Sequence, residues 1–299
     1  MDKENIWAAE LSKFYTTKNI TEIKTKLFDS TDLLVYLHEI LAEKNVQLEE
    51  NDIYSEQLIL KLHLQNLSLI DLSEGQSIKS KYYKNNAPHI KFLDISSIIT
   101  IVRSQYESLL MYQHLYLNSD IKEEHKLRFD SWIMSSMILR SKVFSDTQKI
   151  DRERIIDEIK AIDNFRESIS SNPIFKTLSE KQQKVLLENG SGKLFKSWDT
   201  LFSESKFNPK GVFSKIYFIA SVYAHSEGIL ALQLKDAKHL KDHPFMKETL
   251  YLMLFYSYLM TNIMIKNIVK KFPEVENRFN NLDEKVKFEI NFNYQLAFK

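Results

Sequence analysis

Apolar residues recur at three- and four-residue spacing along most of the chain, as in the run Leu33, Leu34, Leu37, Ile40 and Leu41. This spacing places an apolar stripe on one side of a helix, whereas a strand would need strict alternation. The pattern predicts helices over the ranges 3–15, 21–28, 31–44, 52–72, 94–117, 120–144, 151–170, 180–189, 212–227 with a continuation to 240, 245–271 and 282–296, and a short one near 198. The sequence therefore predicts an all-α protein.

The segment from Gly75 to Phe92 lacks this periodicity and carries Pro88. Such a break is typical of a linker or a long loop. We therefore expect an N-terminal helical segment over 1–75, a linker or loop over 76–92, and a main helical bundle over 93–299. The fold class that follows is a multi-helix bundle with an N-terminal helical extension.

Composition supports the helical interpretation, since the 299 residues include only 5 Gly and 5 Pro. Sheets joined by tight turns need more of both. The absence of Cys excludes disulfides, thiolate catalysis and Cys-ligated zinc. With 41 Lys+Arg against 40 Asp+Glu, no overall field attracts nucleic acid, so such binding would need a local patch. The charged N-terminus lacks the apolar core of a signal peptide, and we expect a cytoplasmic protein.

The stretch from Thr249 to Ile265 carries no charge and approaches the length of a membrane span. Polar residues such as Tyr256, Thr261 and Asn262 are spread along it, and they are costly in lipid. We interpret the stretch as the central helix of a bundle and expect no membrane partner.

The string Gly190-Ser191-Gly192-Lys193 resembles the end of a phosphate-binding loop. Leu187 stands where the first glycine belongs, and Leu194 replaces the Ser or Thr that would hold magnesium. Ser179 and Gln182 form a capping-box pattern for the preceding helix, so Gly190 is better interpreted as its C-terminal stop.

His239 and His243 have the i,i+4 spacing that can place two imidazoles on one helical face as metal ligands. Pro244 disfavours a helical conformation at His243, so we interpret the pair as a solvated helix end. We expect neither a metal nor a cofactor.

The predicted linker carries a basic and aromatic run, and no acidic residue lies between Glu74 and Asp94. Lysines beside stacking aromatic rings are typical of single-stranded nucleic-acid binding, although an ordinary exposed loop has the same composition. The weak nucleic-acid candidates are Lys79, Lys81, Tyr82, Tyr83 and Lys84.

Two predicted helices carry polar residues on an otherwise apolar face. One holds Arg103, Tyr106, Glu107 and His114 at offsets of 0, 3, 4 and 11, and the other holds Tyr217, Ser221 and His225 at four-residue spacing. Because buried polar groups are costly unless they bond to one another, we expect the two faces to meet, with Arg140 on a neighbouring helix joining them.

Two explanations of this polar face stay open. In the functional one, His225 acts as acid or base, Arg103 holds an anion, and Glu107 or Ser221 orients them, which makes these four the catalytic candidates. Binding contacts would then come from Tyr106, His114, Tyr217 and Arg140. In the structural one, the same groups form a polar layer that fixes helix register.

The motifs Arg103-x-x-x-Glu107 and Tyr217-x-x-x-Ser221-x-x-x-His225 resemble those of an uncharacterised family of bacterial all-helical proteins, over roughly residues 90–270. The layout is also similar to the HEPN class of helical bundles. That resemblance implies a ribonuclease or a companion protein in toxin, abortive-infection or phage-defence systems. HEPN ribonucleases carry an arginine followed by a histidine after four to six residues, whereas Arg103 precedes His114 by eleven. Enzymatic activity is therefore left open.

The leading hypothesis is a bacterial cytoplasmic helical protein of the defence or toxin type that senses or acts on a nucleic acid or nucleotide through this polar face. The alternative is a non-catalytic scaffold or partner-binding protein. It would form a homo-oligomer through the aromatic and Met-rich stretch from Leu250 to Met264. A small-molecule enzyme that uses the same polar face is a third possibility.

Overall fold

The computed structural model describes residues 2–77, 91–144, 152–224 and 228–299. Helices make up most of these residues, and two short strands, β1 (Gln76–Ser77) and β2 (Lys91–Phe92), pair in antiparallel fashion. The helices are α1 (Lys3–Thr17), α2 (Ile20–Glu43), α3 (Glu50–Ser73), α4 (Ile95–Tyr116), α5 (Lys122–Phe144), α6 (Arg152–Ser171), α7 (Glu180–Asn189), α8 (Trp198–Glu204), α9 (Ile216–Ala224), α10 (Gly228–Ala237), α11 (Pro244–Lys271), α12 (Pro273–Asn280) and α13 (Glu284–Leu296). The prediction of an all-α, multi-helix bundle is confirmed.

The chain forms two compact units that are discontinuous in sequence. The first unit comprises Met1–Leu48, Ile53–Leu109 and Lys206–Lys299, and the second comprises Glu49–Asp52 and Leu110–Ser205. This division follows spatial contacts rather than chain order. The boundaries at 1–75, 76–92 and 93–299 stay a prediction.

Helix α11 is the centre of the first unit, where it packs against α2, α12 and α13. Its side chains are apolar on nearly every side, and a helix of that kind belongs in a core. It is long and apolar enough to cross a membrane by length and composition, but most of it is buried inside the structure. The side chains from Leu250 to Met264 are therefore mostly committed to this core, and an oligomer would need another surface.

A network of uncharged polar side chains joins four helices of the first unit. Asn66 donates to Thr31 Oγ1 and Thr261 Oγ1, both at 2.9 Å, and its Oδ1 accepts from Gln105 at 2.7 Å and from Ser257 at 2.8 Å. All five side chains are fully or almost fully buried. Because every member has a partner, the network fixes the register of α2, α3, α4 and α11 without an unsatisfied group. We call these five residues the Asn66 network.

The second unit is built on α5, α6 and α7, which pack against one another. Its apolar core consists of Leu127, Met134, Ile138, Ile162, Ile169, Phe175 and Leu186. The capping box of Ser179 and Gln182 is present, and Gly190 caps α7 with a φ of +67°. A Cβ at Gly190 would lie 2.7 Å from backbone atoms of Ser135, so both the turn and the close approach require glycine. The interpretation of Gly190 as a helix stop is confirmed.

Two of the corrections to the predicted elements concern whole helices. Helix α2 is continuous where the sequence predicted two helices, because Thr31 Oγ1 donates to the Leu27 carbonyl at 2.6 Å inside the helix instead of capping a new one. Helix α12 was not predicted. It starts with Pro273 at its first position, where a missing N–H is harmless, directly after Phe272 ends α11.

Candidate functional site

The structure assembles part of the predicted polar face in the first unit. Arg103 on α4 donates from Nε to Glu107 Oε1 at 3.0 Å and from Nη2 to the Tyr217 hydroxyl of α9 at 3.1 Å. Its Cζ also lies 4.9 Å from the centroid of the Tyr217 ring. The side chains of Arg103 and Glu107 are 19% and 28% exposed. We call these three residues the Arg103 cluster.

Aromatic side chains support this cluster from the interior. Tyr106 is buried and stacks on Phe213, with ring centroids 6.2 Å apart and planes 25° apart. Its ring centroid also lies 6.5 Å from that of Tyr217. Tyr106 therefore packs beneath the cluster instead of facing a ligand.

Electrostatics keep Arg103 charged and fixed in direction. Burial acts to lower the pKa of Arg103, but the hydrogen bond to Glu107 and the nearby Tyr217 outweigh it, and the pKa is raised. The guanidinium is thus a permanent cation whose plane is set by two partners. A cation of this kind, still partly open to solvent, is suited to holding an anion.

Ser221 is not arranged as a nucleophile. Its Oγ donates to the Tyr217 carbonyl at 2.7 Å, one turn back along α9. This local bond is common for serine in helices and uses the hydroxyl proton. The expectation that Ser221 orients Arg103 or His225 finds no contact among the described residues. His225 itself lies outside them, as do the linker candidates Lys79, Lys81, Tyr82, Tyr83 and Lys84.

Two other candidates belong to the second unit. Arg140 forms an ion pair with Glu158 at 2.6 Å. His114 is fully buried, and neither of its ring nitrogens has a hydrogen-bond partner among the described residues. Burial, followed by the charges of Arg128 and Lys196, lowers the pKa of His114 from 6.5 to about 3. His114 is therefore neutral near pH 7.

Among the described residues, neither weak motif has the geometry of the site that it resembles. Lys193, in the loop-like string, lies 4.1 Å from the centroid of the Trp198 ring and follows a helix stop. His243 is the N-cap of α11, and His239 follows α10 with a φ of +56°, so they do not share a helical face. Within the described part of the chain, no group of three or more His, Asp or Glu residues is placed to hold a metal ion.

Sequence reasoning missed a cavity of about 520 Å³ in the first unit. Its walls come from the consecutive helices α1 and α2 near one end of the chain and from α13 near the other. The lining residues are Trp7, Glu10, Leu11, Lys13, Phe14, Thr17, Glu22, Lys26, Lys285, Phe288 and Glu289. No local motif marks them, because each helix contributes a few residues from its own amphipathic face. The cavity could have been predicted only by matching oppositely charged residues at the two ends of the chain, such as Glu10 and Lys285.

Comparison with known proteins gives no relative: no family model, curated protein or solved structure matches this chain. The resemblance to an all-helical bacterial family and to HEPN bundles therefore stays a hypothesis.

Proposed function

We propose that this chain senses a nucleotide or nucleic acid by binding a phosphate at the Arg103 cluster, as a bacterial cytoplasmic protein of the defence or toxin type. The observation that carries the proposal is the partly exposed guanidinium of Arg103, which Glu107 and Tyr217 hold in one orientation. A fixed planar cation offers a phosphate two parallel N–H donors at little entropic cost.

Donor capacity supports a phosphate ligand. A guanidinium has more N–H donors than the two bonds to Glu107 and Tyr217 use. Glu107 engages Nε alone, so the two terminal nitrogens are not both occupied by a carboxylate. The carboxylate reduces the net charge, and we therefore expect binding to be moderate and to weaken as salt rises.

The same contacts favour binding over cleavage. Ser221 donates to its own helix, and Glu107 is held by Arg103, so neither is set up to move a proton. The described part of the chain places no imidazole against Arg103. A sensor or companion protein fits these contacts better than a ribonuclease.

Arg278 provides a matched control in the same unit. It also pairs with a glutamate, Glu43, and lies over a tyrosine ring, that of Tyr36, at 4.6 Å. Both of its terminal nitrogens bond to Glu43, and Nη1 also donates to the Tyr36 carbonyl at 2.7 Å. Both terminal nitrogens of Arg278 are therefore occupied by the Glu43 carboxylate, whereas, within the described residues, neither terminal nitrogen of Arg103 bonds to a carboxylate.

The test is fluorescence anisotropy with labelled ATP and a labelled single-stranded RNA at low salt. We expect saturable binding to the wild type and a loss of about tenfold or more in Arg103→Gln, because a charge-assisted bond to phosphate is removed. Arg278→Gln should bind as the wild type does. No saturable binding of either probe, or an equal loss in both variants, would contradict the proposal.

A second candidate function, partner binding, is favoured by two exposed apolar side chains. Phe218 on α9 and Leu232 on α10 are 72% and 73% exposed. Large exposed apolar side chains can contribute to an interaction surface. A partner or second copy would bind here rather than at the buried Leu250–Met264 stretch.

A further inference from the structure

We infer that the cavity between α1, α2 and α13 is a binding site for a small zwitterion with an aromatic or apolar body, a free amino acid being the simplest case. This inference is independent of the Arg103 cluster, which shares no residue with the cavity. It depends on the size of the cavity, its aromatic walls, its fixed floor and its balanced charges.

The size and walls suit a small organic molecule. A volume of about 520 Å³ lies within the range of ordinary ligand pockets. Trp7, Phe14 and Phe288 line it, and the ring centroids of Trp7 and Phe288 are 5.6 Å apart with planes tilted by 55°. Two tilted rings leave faces and edges against which an apolar or aromatic body can pack.

The floor of the cavity is a fixed ion pair. Lys26 donates to both carboxylate oxygens of Glu289, at 2.6 and 2.8 Å, and the Tyr258 hydroxyl donates to the same carboxylate. Both charged side chains are mostly buried, with Glu289 the deeper. A carboxylate held by an ammonium and a phenol keeps one position, so the floor is organised before a ligand arrives.

A chain of hydrogen bonds continues behind the floor. Asn293 donates to the Tyr258 hydroxyl at 2.7 Å, and the Tyr15 hydroxyl donates to Asn293 Oδ1. Burial, reinforced by the negative charge of Glu289, raises the pKa of both Tyr15 and Tyr258. Both phenols therefore stay protonated and act as donors, which keeps the floor rigid across the physiological pH range.

The rim of the cavity carries an ion pair that a ligand can displace. Lys285 and Glu10 pair across it at 2.7 Å, and both side chains are about half exposed. An exposed pair of this kind contributes little to stability, so exchanging it for ligand contacts costs little. The ligand carboxylate can then meet Lys285 while the ligand ammonium meets Glu10.

The charge balance selects a zwitterion over an anion. Lys13, Lys26 and Lys285 are matched by an equal number of carboxylates, from Glu10, Glu22 and Glu289. A phosphate dianion would add two negative charges to a site whose charges already balance, whereas a ligand with one charge of each sign leaves the balance intact. The cavity and the phosphate site proposed at Arg103 are therefore expected to bind different classes of ligand.

Isothermal titration calorimetry of the full chain with three related probes tests the inference. L-tryptophan carries both charges, tryptamine only the cation, and indole-3-acetate only the anion. We expect saturable binding of L-tryptophan and affinities about tenfold weaker for each of the other two probes, because each loses one charge-assisted contact. Lack of saturable binding of L-tryptophan, equal affinity for all three probes, or tighter binding of AMP than of L-tryptophan to the Arg103→Gln variant would overturn the inference.

Rim variants locate the binding. Lys285→Gln and Glu10→Gln should each weaken L-tryptophan binding about fivefold to tenfold, while Arg103→Gln leaves it unchanged. The matched control is Lys18→Gln, which removes a similarly exposed pair with Glu248, also 2.7 Å long, whose two residues do not line the cavity. An equal loss in Lys18→Gln, or no loss in either rim variant, would place the ligand elsewhere and contradict the inference.

Discussion

Helix α4 carries two polar regions of opposite character, only two residues apart. Gln105 belongs to the Asn66 network, which is fully buried, uncharged and completely partnered. Arg103 belongs to a charged cluster that remains partly exposed and bonds to two partners. The first region joins four helices, whereas the second joins α4 to α9 through the hydrogen bond and the ring contact of Arg103 with Tyr217.

This difference shows how a structural polar layer can be told from a candidate binding group. A buried network saves its members from the cost of lost hydration only if every donor and acceptor is satisfied. The Arg103 side chain, which is 19% exposed, keeps part of its hydration, and its two partners fix its orientation. The sequence placed both kinds of residue on one helix and left the choice between structure and function open.

The largest effect is expected when the Asn66 network is broken. Asn66→Leu leaves the Gln105 side-chain N–H without its acceptor in a dry core. It also removes the side-chain hydrogen bonds that join α3 to α2 and α11, and it should lower the free energy of unfolding by about 3 kcal/mol. Urea denaturation measures this change. Gln57→Leu, at an exposed position of the same helix, should stay within about 0.5 kcal/mol of the wild type. Equal losses in the two variants would mean that the network is not what holds these helices.

A second expected effect concerns His114, a buried polar group without a partner among the described residues. Its pKa is lowered from 6.5 to about 3, first by burial and then by Arg128, Lys196 and His125, so below pH 6.5 the unfolded chain binds a proton that the folded chain does not. Stability from this residue is therefore constant above pH 6.5. It falls by up to about 1.4 kcal/mol per pH unit as the pH drops from 6.5 towards 3.

The check is urea denaturation of the wild type and His114→Phe at a series of pH values from 7 to 4.5. The free energy of unfolding of His114→Phe minus that of the wild type should become more positive as the pH falls. If the free energies of unfolding of the two proteins change with pH in parallel, His114 binds protons equally well in the folded and unfolded chain. His114 would then not be the unsatisfied buried group that contrasts with the Asn66 network.

Much of the fold followed from local patterns. The helix periodicity, the capping box at Ser179 and the glycine stop at Gly190 depend on interactions within a few residues, and these were predicted correctly. The continuity of α2 and the start of α12 were missed. In α2 the polar residues around Thr31 resemble a helix cap, but they lie inside a continuous helix. One face of this helix packs on α11, and that tertiary contact outweighs the local preference for a cap.

The candidate site was predictable only in part. The i,i+4 pairing of Arg103 with Glu107 followed from spacing, and its meeting with Tyr217 followed from the cost of burying polar groups. His114 and Arg140 belong to another unit, which no helical period can reveal. The cavity of α1, α2 and α13 depends on contacts between chain ends nearly the whole sequence apart, such as Glu10 with Lys285.

Equilibrium unfolding of Arg103→Ala distinguishes an arginine that is held for a ligand from one that holds the fold together. We expect the free energy of unfolding to fall by no more than about 1 kcal/mol, as for a partly exposed ion pair. A fall of about 3–5 kcal/mol, the cost of breaking a buried pair, would show that the Arg103 cluster is structural and not held for a ligand.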